Sequence, residues 1–169
     1  MAQIAYRQIV NNNDFQKRQF SMSETSKLLK NNKFHRDELN KIIDYSNLSQ
    51  KREPISVEEI HKLICISDEK GNYGNKPYQM SEDGKKIRSH MTGLLNNFEQ
   101  LGIGILHNTL DEDIMKDGFD AIIDDNYTFY SSYIKHIRSD ENKSDFAENF
   151  EWLQKRWNDS SSHNKTVRD

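Results

Sequence analysis

The sequence predicts an all-α protein, a single bundle of about six to seven helices around a long central helix over 85–106. Three observations predict it. From Lys85 to Leu106 the residues Ile87, Met91, Leu94, Leu95, Phe98, Leu101 and Ile105 recur in steps of three and four, which is one broad apolar stripe on a helix. A helix of about 20 residues is roughly 30 Å long and crosses a small domain. Only two prolines and seven glycines punctuate 169 residues, too few turn formers for a β fold. The mean hydropathy of -0.98 would leave an evenly mixed chain disordered, yet the apolar residues cluster at helical spacing, so a thin core with long solvated faces is expected.

Each element follows in order. Residues 2–10 read as a short helix or arm, and Asn11-Asn12-Asn13-Asp14 as a break, with Asn13 or Asp14 as N-cap. Phe15, Met22 and Leu29, with Phe20 and Leu28 offset, predict an amphipathic helix rich in cations that Asn31-Asn32 ends. A further helix spans 35–45, with Leu39, Ile42 and Ile43 on its apolar face. Ser56-Val57-Glu58-Glu59 is a capping box that opens a helix to about Ser67. Residues 68–84, with Gly71, Gly74, Pro77 and Gly84, form the longest irregular segment.

After the central helix, His107-Asn108-Thr109 turns the chain. A short acidic helix over 111–117 and a long helix over 118–138 are expected next, the latter marked by Phe119, Ile122, Ile123, Tyr130, Ile134 and Ile137. The last helix, 145–158, carries Phe146, Phe150, Leu153 and Trp157. The chain therefore reads as one helical domain over 1–158 with a hydrophilic tail over 159–169.

Composition excludes several functions. A net charge of -3 and a pI near 6.1 give no global drive toward nucleic acid or anionic membrane. One cysteine, Cys65, allows no internal disulfide and sits in an apolar run, where a buried inert thiol is expected. No apolar run is long enough to span a bilayer and no signal-peptide core opens the chain, so a cytoplasmic location is expected.

Candidate chemistry is sparse. Asp111, Glu112, Asp113, Asp117, Asp120, Asp124 and Asp125 are the densest charge feature and lack the ligand spacing of a calcium loop. They read as N-terminal helix charge and a solvated face, or as a docking surface for a basic partner. The six histidines show no metal-ligand spacing, and neither a metal nor a cofactor is expected. Gly102-Ile103-Gly104 lacks the third glycine and the strand of a dinucleotide loop, and reads as a close helix contact. Arg156 and His163 fit the loosest Arg-to-His spacing of helical HEPN-like ribonucleases and are the alternative catalytic pair. Lys27, Lys30, Lys33 and Arg36, and Lys85, Lys86 and Arg88, are basic clusters without aromatic interleaving, so nucleic-acid binding is a lesser alternative.

The second half carries a resemblance. Leu95-Asn96-Asn97-Phe98-Glu99 and Leu101-Gly102-Ile103-Gly104-Ile105 are followed by Thr109-Leu110-Asp111-Glu112-Asp113, then Phe150-Glu151-Trp152-Leu153 and Arg156-Trp157. In this order they resemble a bacterial family of unknown function, the DUF4760 domain. The resemblance implies a helical fold, no assigned activity, and an association with phage–bacterium conflict. Asn96, Glu99, Trp152 and Trp157 read as its structural motif, with Arg138 and Arg156 as candidate partners for Glu99. The expected function is a non-enzymatic interaction module, an inhibitor or accessory protein that binds a protein partner or a second copy of itself.

Overall fold

The computed structural model describes residues 2–67, 78–140 and 142–165, with side chains from Arg7 to Asp159 within those ranges. Among the described residues there are six helices: α1 (Ala2–Ile42), α2 (Tyr45–Gln50), α3 (Val57–Ile64), α4 (Glu82–Leu106), α5 (Glu112–Asp140) and α6 (Glu148–Lys165). Among the described residues extended pairing is limited to one bridge between Cys65 and Met80. The all-α bundle is the one the periodicity predicts.

α4 is the hub and packs on α1, α3 and α6. Ile87, Met91, Leu94, Leu95, Phe98, Leu101 and Ile105 are all buried, so the stripe read from the sequence is the core line. Ser81 caps α4, its hydroxyl accepting from the Gly84 amide at 2.9 Å. Gly84 and Gly102 let neighbours approach: a Cβ on Gly84 would lie 2.7 Å from the carbonyl carbon of Ile64, and one on Gly102 2.8 Å from that of Asn149. The close contact predicted at Gly102 is thus α4 on α6. The capping box is also present, Ser56 accepting from the Glu59 amide and Glu59 from the Ser56 amide.

Several boundaries differ from the sequence reading: α2 is not expected from it, α3 ends at Ile64 rather than Ser67, and α4 starts at Glu82, inside the segment read as irregular, of which 68–77 lie outside the described residues. α1 is one helix of 41 residues, about 60 Å long, and runs straight through Asn11–Asp14 and Asn31-Asn32. Asparagine costs only about 0.7 kcal/mol in a helix, and no proline or glycine stands in α1 to stop it. Asn32 is a buried contact rather than a terminator, its Oδ1 accepting from Asn97 Nδ2 of α4 at 2.8 Å. The two helices expected over 111–138 are one, α5, because Gly118 sits 3.4 Å (as a built Cβ) from Thr25 Cγ2 of α1 while Met115 and Phe119 on either side are buried. α6 starts at Glu148 rather than 145 and continues to Lys165. Ala147, at φ 59, turns the chain into it.

α5 packs first on α6 and α1 rather than on the central helix. A buried hydrogen bond between the Tyr45 and Tyr130 hydroxyls, 2.8 Å, ties the start of α2 to α5.

Candidate functional site

The seven-residue acidic feature is divided by the fold. Glu112 accepts from Arg156 Nε and Nη2 at 2.7 and 2.8 Å and from Trp157 Nε1 at 3.1 Å, so it locks α5 to α6. Those hydrogen bonds, that from Arg156 first, hold its carboxyl below the usual range against the opposing cost of burial. Asp124 accepts from Asn158 and Gln154 at 3.0 Å each, which lowers its pKa in the same way. Asp111 accepts from the Ile114 amide, and its own amide donates to the Ser21 hydroxyl at 2.7 Å; Asp125 lies 3.5 Å from Arg52. Asp113, Asp117 and Asp120 remain as one exposed line on α5, at steps of four and three.

The proposed structural motif is also redistributed. Glu99 reaches neither Arg138 nor Arg156. It caps α6, Oε1 accepting from the Asn149 amide at 3.2 Å and from Asn149 Nδ2 at 2.7 Å, and Oε2 from the Phe150 amide at 2.9 Å. A carboxylate suits the positive end of a helix, which is why it prevails over an arginine partner here. Arg138 instead donates to Glu151 at 2.7 Å; the hydrogen bonds from Lys155 and then Arg138 bring Glu151 down to about 2. Asn96 is exposed, and the buried polar contact belongs to Asn97 and Asn32. Trp157 is buried in the core, while Trp152 is half-buried with the Arg156 guanidinium 5.5 Å from its ring.

Arg156 is therefore engaged by Glu112 and Trp152, and the His163 side chain lies outside the described residues. Among the described residues no three His, Cys, Asp or Glu side chains converge as metal ligands would.

The molecule's most unusual surface is α1. Ser21, Leu28, Asn32 and Leu39 face inward, and residues 7–16 are exposed throughout, beyond the end of the core. Phe15, Met22 and Leu29 stand 57%, 62% and 40% exposed, seven residues apart on one line. The sequence periodicity is real, but this line points outward. α1 also carries eight Lys and Arg against four Asp and Glu.

The model of a domain of unknown function, DUF4760, matches residues 3–157, from the first turn of α1 to Trp157. The chain belongs to the DUF4760 family. No curated protein and no solved structure matches it. The match takes in α1 with its outward apolar line, well beyond the second-half segments that carry the resemblance in the sequence.

Two of the recesses among the described residues of this DUF4760 domain carry polar side chains over apolar floors. The first, a cavity of about 530 Å³ between α3, α4 and α5, is floored by Ile60, Ile64 and Ile137 and reached by Cys65, His61 and His136. His136 Nδ1 lies 3.3 Å from Asp140, and the His61 ring packs 4.6 Å from Tyr78 and 5.2 Å from His136. Burial pushes the Cys65 thiol up, against a smaller opposing pull from Arg88, so it is held as a thiol rather than a thiolate nucleophile. The second is a cleft of about 200 Å³ beside Leu29, between α1 and α5, lined by Asn32, Lys33, Arg36 and Asn126 over Leu94, Phe98 and Ile122.

Proposed function

We propose that this DUF4760 domain is a non-enzymatic interaction module that binds a protein partner along the outward side of α1. One observation carries the reading: of the nine large apolar side chains exposed among the described residues, seven belong to this helix. Apolar area that a chain leaves in water is a reservoir for association at about 25 cal/mol per Å². The helix is also locally cationic, eight Lys and Arg against four Asp and Glu, in a chain of net charge -3, so the partner that complements it is acidic as well as apolar. Blocking or recruiting a partner needs a surface and no reactive group, which suits an inhibitor or accessory role in phage–bacterium conflict.

The test is a comparison of tagged wild type with Phe15→Glu and Met22→Glu in quantitative affinity capture after nuclease treatment. Both positions are exposed, so the variants keep the fold. A protein recovered at stoichiometric yield with wild type and lost with both variants is the expected outcome. Recovery of the same proteins by all three chains would overturn the reading.

A further inference from the structure

The cleft beside Leu29 holds a buried group with nothing to bond. Asn32 is 7% exposed, its Oδ1 is used by Asn97, and its Nδ2 donates to no acceptor. A buried amide donor without an acceptor keeps the cost of its lost hydration, so such a group marks a place where an acceptor belongs. The other polar groups at the cleft do not supply one. Asn40 is spent on Ser46, its Oδ1 accepting from the amide and its Nδ2 donating to the hydroxyl at 2.8 Å each. Asn126 Nδ2 donates to the Ile122 carbonyl at 2.7 Å. Asp37 is held by Lys33 at 2.5 Å. Arg36, exposed on the rim, has no carboxylate partner among the described residues.

The missing acceptor therefore has a definable chemistry. It bears negative charge, to meet Arg36, and follows an apolar stem, to lie over Leu94, Phe98 and Ile122. We propose that this cleft is a carboxylate pocket, in which the Asn32 amide and the Arg36 guanidinium receive an acidic side chain of the partner that docks on α1. The inference rests on the α1 docking surface and gives its partner a chemical feature: a Glu or Asp next to the apolar residue that covers Leu29. Arginine offers a planar two-pronged donor at the rim, and the amide gives one directed bond below it.

The pocket is tested without the partner. Hexanoate, a carboxylate on an apolar chain, is titrated into the folded protein while the side-chain amide signals of Asn32 are followed by nuclear magnetic resonance. The neutral isostere hexanamide serves as control. Saturable shifts of the Asn32 amide with hexanoate alone are expected, weakened roughly tenfold by Arg36→Gln, the loss of one charge-assisted hydrogen bond. Equal response to hexanamide, or none to hexanoate, would overturn the pocket. A synthetic helix with Glu beside Leu that binds more tightly than hexanoate supports a protein side chain as the occupant; equal affinity would overturn that part and leave a free carboxylate. None of these readouts depends on Met22, so failure here is distinguishable from failure of the α1 surface in affinity capture.

Discussion

Glu99 on α4 caps α6 through Asn149: one carboxylate oxygen takes both the backbone amide and the side-chain amide of that residue, and the other takes the next amide, Phe150. Helix starts leave several amides without intrahelical acceptors, and here an acceptor comes from another helix rather than from the preceding residue. The central helix and the last helix are thereby registered against each other, with Phe98 and Phe150 stacked 4.9 Å apart beside the cap. Glu99→Ala is expected to destabilise the domain by about 1.5–3 kcal/mol, the scale of hydrogen bonds to a charged group. Asn149→Ala should cost less, since both backbone amides keep their acceptor. Urea unfolding of the two variants decides it, and equal costs would mean that the cap does not rest on the carboxylate.

The same contact sets the tolerance of Gly102. A Cβ there would collide with the Asn149 carbonyl oxygen, which belongs to backbone and does not swing away. At Gly104 the obstacle is the flexible end of the Leu110 side chain. Gly102→Ala is therefore expected to lower stability by at least about 1–3 kcal/mol, the usual range for overpacking, and Gly104→Ala by less. Thermal melts in which Gly104→Ala proves the more damaging would show that α6 yields more readily than Leu110.

Trp157 and Arg156 are neighbours in sequence with opposite roles. Trp157 is buried to 1% exposure and bonds Glu112, and Trp157→Ala should cost about 3–5 kcal/mol. Arg156 is exposed, and Arg156→Ala should cost at most about 1 kcal/mol despite its two-pronged contact with Glu112. Chemical denaturation separates these outcomes. An unchanged midpoint for Trp157→Ala would remove that residue from the core.

His35 and His90 predict a pH dependence. Their Nδ1 atoms lie 3.1 Å apart between α1 and α4, which requires one to donate and the other to accept, so at least one ring is neutral. Burial first, and His90 second, lower the His35 pKa from its ordinary 6.5. The unfolded chain then binds more protons than the folded one just below 6.5, so this contribution to stability is complete above that pH and is lost as pH falls through the lowered value. The melting temperature should decline below 6.5, before the depressed carboxylates such as Glu151 are protonated. His35→Gln, which removes the depressed ring, should flatten that decline; an unchanged slope would place its origin elsewhere.

Much of this fold was legible because helical periodicity reports amphipathicity directly. The stripe from Ile87 to Ile105 and the Ser56–Glu59 box are local patterns, and both survive intact in the structure. Chain breaks were less legible. Asn31-Asn32 has the composition of a terminator, yet Asn32 is held in the helix by Asn97 some 65 residues away. The acidic feature was legible as charge and not as function: whether a carboxylate is a surface or a strut depends on what lies opposite, and Glu112 and Asp124 meet α6 while Asp113, Asp117 and Asp120 meet solvent.

By itself the sequence determined that the fold is helical and the identity of the core line, since both depend on neighbours three and four residues apart. Tertiary structure alone decided which way each helix faces. Phe15, Met22 and Leu29 have the spacing of a buried seam, but on α1 the packed side is Ser21, Leu28, Asn32 and Leu39, and the apolar line is left in solvent. Periodicity fixes the angle between residues on a helix and carries no reference to what stands beside it. The donor left over on Asn32 and the cation left over on Arg36 share that origin. They are neighbours one turn apart on α1, and only when α5 closes beside it do they line a cleft.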